Sequence, residues 1–167
     1  MRIGVDCRIV AYTAGGTGVY ARRLAQALAG LPETAHDQLL LLLHAARSRA
    51  AFVPDCPPHV RTAALFTPSH HRLEQLTLPL ELLPRRLDLL HSTDYVPPFA
   101  RRFRSVITIH DLAFLRWPEL LTRDSRRYFN GQIRHAVRSA DRIIAVSQAT
   151  KRDLIELLGV PDGKGDV

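Results

Sequence analysis

The sequence predicts a doubly wound α/β domain: a mainly parallel sheet with helices on both faces. Three observations carry this. Short β-rich segments alternate along the chain with longer segments of helical period, the pattern of βαβ units with right-handed crossovers. Several of the short segments are apolar without a break, Gln38 to Leu43 above all, as a strand covered on both faces must be. And these segments end on polar or titratable side chains, which a parallel sheet collects along a single edge.

In chain order, Arg2 to Asp6 is the first strand. Thr17 to Gly30 follows as a helix, with Val19, Leu24, Ala27 and Leu28 at helical spacing and Gly30-Leu31-Pro32 as its stop. Gln38 to Leu43 is the second strand. A turn at Pro54-Asp55-Cys56-Pro57-Pro58 leads to a third over Val60 to Phe66. Leu73, Leu76, Leu80 and Leu83 mark a leucine-rich helix that Pro79 interrupts or restarts. Asp88 to Ser92 and Ser105 to His110 are two further strands. Thr122 is an N-cap candidate with Asp124 in the first turn, and Phe129, Ile133, Val137 and Ala140 form the apolar stripe of the helix that follows. Arg123, Arg126, Arg127, Arg134 and Arg138 lie mostly off that stripe. Arg142 to Val146 is the sixth strand, and Ser147 caps a last helix that Gly159-Val160-Pro161 ends near Leu158.

Bulk properties bound the function. The 167 residues make one domain, able to bury about 70% of its unfolded surface. The longest aliphatic run, Leu39 to Leu43, is far short of a membrane span, and the first residues show no signal-peptide core, which places the protein in the cytoplasm. In that compartment Cys7 and Cys56, which lack metal-ligand spacing, are expected as reduced, buried thiols. The eight histidines are scattered, with one doublet at His70-His71 and no metal motif. The formal charge of +7, carried mostly by arginine, suits an anionic partner, or equally a solvated basic surface.

At the carboxyl edge Asp6 ends the first strand, His44 the second, His91-Ser92-Thr93 the fourth, His110-Asp111 the fifth and Ser147 the sixth. His110 is the best placed of these for chemistry, since an imidazole can donate, accept or move a proton near neutral pH. Asp111 either orients it or caps the next turn. The second element is Gly15-Gly16-Thr17-Gly18 at the entrance to the first helix. Glycine there permits positive φ and close approach of a ligand, and free amides at a helix start attract anions such as pyrophosphate. Gly16, Gly18 and Ala21 satisfy the dinucleotide fingerprint, but the glycines come about ten residues after the first strand, and His44 stands where a ribose-binding acid is wanted. There is no P-loop lysine motif.

Three stretches, "RIGVDCRIVAYTAGGTGVYARRLAQAL", "LEQLTLPLELLPRRLDLLHSTDYVPP" and "SVITIHDLAFLRWPELLTRDSRRYFNGQIRHAVRSADRIIAVSQATKRDLIELLGV", resemble the N-terminal half of the retaining, nucleotide-sugar-dependent glycosyltransferases of group 1, family four. The resemblance covers nearly the whole chain. It implies a GT-B fold, two Rossmann-like domains facing each other across a cleft, with residues 1–160 as the acceptor-side domain and 161–167 as the start of a linker. The donor-binding domain is then missing from the chain, which alone is expected to be inactive. The resemblance also implies that Gly16 to Gly18 lie near the donor diphosphate and acceptor, that His110 is catalytic and faces the donor sugar, and that Ser147 lines the cleft. Gly15, Asp111 and His91 complete the donor- and acceptor-binding set. No metal or other cofactor is implied: the sugar nucleotide is a substrate, its partner a hydroxyl acceptor. A different class of function is a non-catalytic module for nucleotide or anionic lipid ligands. Arg101-Arg102-Phe103-Arg104 beside Phe99 would then give peripheral contact with an acidic membrane. Nucleic-acid binding has no motif to support it.

Overall fold

The structure, a computed structural model, describes residues 1–34, 36–45, 57–120 and 123–167, with the side chains of 120 and 123–130 outside the description. Cys56, the cap at Thr122 and the side chains of Arg123, Asp124, Arg126, Arg127 and Phe129 therefore lie outside the described residues. The strands are β1 (Arg2–Asp6), β2 (Gln38–His44), β3 (Val60–Leu65), β4 (Leu89–Ser92), β5 (Arg104–Ile109), β6 (Arg142–Ala145) and β7 (Gly165–Asp166). The helices are α1 (Gly16–Gly30), α2 (Glu74–Leu82), α3 (Ala113–Arg116), α4 (Arg123–Ser139) and α5 (Gln148–Leu158). All strands pair in parallel, in the order β3-β2-β1-β4-β5-β6-β7. This is the doubly wound, Rossmann-like sheet the alternation predicts.

The run of leucines in β2 shows why such a strand needs no polar face. Leu39, Leu41 and Leu43 pack with Val5, Ala21 and Ala25 under α1, while Leu42, with Leu40, packs with Leu78, Leu82 and Leu90 under α2. Alternate side chains point to opposite faces, so helices cover both sides of this half of the sheet. A third cluster joins Ile107, Ile109 and Ile143 to Ile133, Ala136 and Val137 of α4. The stripe read for α4 is thus the inward one where it is described, with Arg134 and Arg138 exposed.

Three elements differ from the sequence expectation. In α1 the inward residues are Gly18, Ala21 and Ala25, and Val19 and Ala27 face out. Small side chains let the helix lie close on the sheet, so the larger residues flank the contact instead of forming it. In α2 the buried face is Glu74, Leu78 and Leu82, at i, i+4 and i+8, and the four leucines that announced the helix are exposed. Residues 161–167, read as a linker, hold a 3-10 turn and β7, which pairs with β6 at the sheet edge.

Ser147 does cap α5: its Oγ accepts the Thr150 amide at 3.1 Å. At the other end Gly159 takes the left-handed conformation at φ 65°, with the Val160 amide donating back to the Leu154 carbonyl. Cys7 is a buried free thiol whose pKa burial raises well above the ordinary value. Among the described residues no helix is long and apolar enough to cross a membrane, and no group of three or more His, Cys, Asp and Glu side chains is arranged to hold a metal ion.

Candidate functional site

The order β3-β2-β1-β4-β5 reverses direction between β1 and β4, so the crevice for a ligand opens beyond the carboxyl ends of these two strands. Asp6 ends β1, and Ser92-Thr93-Asp94 leave β4 beside it. Thr93 ties the two together, its Oγ1 donating to the Asp6 carbonyl at 2.6 Å. The Thr93 carbonyl in turn lies 2.9 Å from Nε2 of His110, just past the end of β5. A carbonyl only accepts, so the proton sits on Nε2, and in the neutral ring Nδ1 keeps its lone pair.

The His110 ring is half-buried. Tyr20 stands edge-on to it with ring centroids 5.0 Å apart, and Tyr95 is edge-on at 6.5 Å. Tyr20 belongs to α1, two residues beyond Gly18, so the glycine turn and His110 occupy the same rim. Ser147 joins them from the other side. Its Oγ lies 3.0 Å from Thr150 Oγ1, which reaches the His110 carbonyl at 3.1 Å.

None of Gly15, Gly16 and Gly18 has a positive φ; Gly159 alone does among the described glycines. Their use is space. A Cβ on Gly18 would come within 2.2 Å of the Thr13 carbonyl oxygen, whereas one on Gly16 would meet nothing within 4 Å. Gly15 occupies the N-cap without a side-chain cap, and Gly15 and Gly16 are exposed, so no capping side chain covers the start of α1. Gly18→Ala is therefore expected to push the turn away from the helix and cost about 1–3 kcal/mol of stability, with Gly16→Ala near neutral. Chemical denaturation of both variants checks this.

Two of the sequence candidates serve the scaffold at this point. The Asp111 carboxylate accepts the Ala113 amide at 3.0 Å and caps the turn into α3. His91 is buried, its Nε2 2.8 Å from Thr108 Oγ1, which lies 3.0 Å from the Tyr20 hydroxyl. His91 thus stands beneath the rim, at the foot of a hydrogen-bonded chain leading to the ring that packs on His110. His44 lies on the far half of the edge against Tyr12, with ring centroids 5.4 Å apart.

Burial lowers the His91 pKa to about 4. The unfolded chain takes up a proton near pH 6.5 that the folded one refuses, so stability is full above that pH and is lost as pH falls toward 4, by about 3 kcal/mol at most. Acid unfolding of His91→Gln should show a flatter limb over this range. His70 has the opposite sign. Burial works to lower its pKa, but the hydrogen bond and charge of Asp94, with Glu74 and Asp6 behind, raise it. Its contribution is present below the ordinary histidine value and fades as pH rises through the raised one.

The sequence reading passed over Arg8, which the rim is built around. Arg8 is 1% exposed; its Nε and Nη2 take Asp6 at 2.9 and 2.6 Å, Nη2 takes Glu74 at 2.6 Å, and Nη1 donates to the Thr67 carbonyl at 2.9 Å. Burial works against the guanidinium's charge, and the two carboxylates more than offset it, raising its pKa. Glu74 also accepts the amide of His70, whose ring pairs with Asp94 at 2.7 Å. These side chains enclose a cavity of about 20 Å³, room for one water, at the strand reversal. The sequence holds one trace of Glu74's part in this, its place at the i, i+4, i+8 spacing of Leu78 and Leu82, and none of Arg8's.

Residues 14–167 match the family model described as Glycosyltransferase Family 4. The chain belongs to this family. Among solved structures, sucrose-phosphate synthase from Thermosynechococcus elongatus superposes with TM-score 0.63 at 16% identity, covering 99% of this chain and 47% of that one. Anabaena HepE, solved in complex with UDP and glucose, gives TM-score 0.57 at 20% identity, covering 99% of this chain and 43% of that one. The family 4 chain described here thus spans about half the length of the structures it matches, and at these identities the likeness shows the shared fold. No curated protein sequence matches it.

Proposed function

We propose that this family 4 chain is the acceptor-side half of a retaining glycosyltransferase that moves a hexose-type sugar from a nucleoside diphosphate to a hydroxyl acceptor. The observation that carries the proposal is the placement of His110: an imidazole fixed through Nε2 by the Thr93 carbonyl, half open to the rim, and braced by the helix that follows the glycine turn. In this reading His110 is catalytic. Its Nδ1 lone pair can accept a hydroxyl hydrogen bond from the donor sugar, and the ring can carry charge as the glycosidic bond to the diphosphate breaks.

The uncapped amides at Gly16 to Gly18 then face the departing diphosphate, whose charge the start of α1 offsets without any bound metal. UDP and glucose in the HepE complex support a sugar nucleotide as donor. Residues 1–160 would form the acceptor-side domain, and a second lobe carrying the donor site would close the cleft from the other side. A half-cleft cannot position both reactants, so the chain alone is expected to be inactive.

The test uses the polypeptide with both lobes and a panel of sugar nucleotides, reading acceptor-dependent release of nucleoside diphosphate and the anomeric configuration of the product. Turnover with retained configuration supports the proposal. A folded two-lobed protein that turns over no donor, or that inverts the anomeric centre, overturns it.

A further inference from the structure

The exposed face of α2 has no part in the site described above. Leu73, Leu76, Leu80 and Leu83 recur at i, i+3, i+7 and i+10, along one side of the helix, and Leu76 and Leu80 are 67% and 70% exposed. Phe66, 79% exposed, joins them at the end of β3, where its amide donates to Glu81 of α2 at 2.7 Å. Singly exposed leucines need no explanation; a helical stripe of four with an aromatic beside it marks a surface that meets something apolar.

The charges around the stripe say what that is. Leu80 and Leu83 share a groove of about 520 Å³ with Pro79, Arg86, Arg102 and Phe103, and every charged side chain lining it is an arginine. Arg101 is held by the carbonyls of Pro98 and Ser139, while Arg86 and Arg102 are exposed. Arg72 stands exposed at the other end, next to Leu73. The acids of α2 are engaged within the chain: Glu74 is buried on Arg8, and the half-buried Glu81 accepts the amides of Phe66 and Thr67. A leucine stripe rimmed by arginine is complementary to an apolar layer topped by anionic groups. It opposes pairing with a second copy of the chain, since like-charged rims would meet.

We propose that α2, with Phe66 and the loop carrying Arg102, is a docking surface for an anionic lipid bilayer, the leucines entering the acyl boundary and Arg72, Arg86 and Arg102 pairing with lipid phosphates. This holds independently of the transferase reading. It would lay the bilayer alongside a helix whose first turn, at Glu74, borders the rim, so an acceptor anchored in that bilayer would be presented to the carboxyl edge.

The test is co-sedimentation of the protein with phosphatidylcholine vesicles, with and without phosphatidylglycerol. Wild type is expected in the pellet only when phosphatidylglycerol is present, and less so at high salt. The double variant Leu76→Glu/Leu80→Glu should lower the partition coefficient about a hundredfold and Arg86→Glu/Arg102→Glu at least about tenfold. All four positions are exposed, so unchanged circular dichroism and thermal midpoint are expected of both variants. No binding to the acidic vesicles, equal binding to neutral ones, or full binding by the leucine variant overturns the proposal. So does light scattering that shows a dimer dissolved by Leu76→Glu in a protein that ignores vesicles.

Discussion

Under the proposed function, replacing His110 with alanine in the two-lobed polypeptide is expected to lower turnover by about 10²–10³-fold, the range lost with one positioned polar group at a transition state. The fold should survive. The substitution removes one hydrogen bond, to the Thr93 carbonyl, and two edge-on ring contacts, with Tyr20 and Tyr95, which together are worth about 1–3 kcal/mol. The Thr93 carbonyl is left facing a half-open rim where water can replace the imidazole. A midpoint lowered by a few degrees, with turnover lost, is therefore the expected pair of results. A group that merely braced the rim would lower the midpoint as much but leave turnover within tenfold of wild type, and that outcome would remove His110 from the mechanism. Tyr20→Phe provides the comparison: it keeps the ring against His110 and breaks only the link to Thr108, so its turnover should stay far above that of the alanine variant.

The sequence carried the fold because a parallel sheet writes itself as apolar runs separated by helical periods, and the carboxyl edge because polar residues collect where those runs stop. His110 and Ser147 could be placed on one edge by that logic, whereas the Gly15–Gly18 turn, about ten residues past the first strand, was brought to it by the family resemblance. Two kinds of information were harder to read. A helix that exposes leucines and buries a glutamate inverts the usual amphipathic signal; the periodicity of Leu73, Leu76, Leu80 and Leu83 located α2 correctly, and the face those leucines occupy is the exposed one. The partnership of Arg8 with Glu74 joins residues 66 positions apart, and no local pattern links them. The carboxylate of Asp6 looked available at a strand end, whereas in three dimensions Arg8 already holds it. Asp111 is a turn cap for a local reason that the sequence left open: its carboxylate accepts the Ala113 amide two residues on, at 3.0 Å.

Arg8→Met should be the most destabilising substitution at the rim, costing about 3–5 kcal/mol, because it leaves two carboxylates in a site built for three charges. Asp6 and Glu74 would face each other across a cavity with little access to water, and the Thr67 carbonyl would lose its donor. For a chain of this size the loss corresponds to a fall in thermal midpoint of about 10 °C or more. Arg8→Lys should recover only part of it, since a single ammonium cannot span both carboxylates and the carbonyl that the guanidinium fork reaches. The decisive comparison adds Asp6→Asn and Glu74→Gln to Arg8→Met. If the cost comes from uncompensated charge, the triple variant is more stable than Arg8→Met alone, although it carries three substitutions where the other carries one. If the two differ by less than about 0.5 kcal/mol in urea unfolding, the guanidinium contributes through packing and its hydrogen bond to Thr67, and the charge account of this rim is wrong.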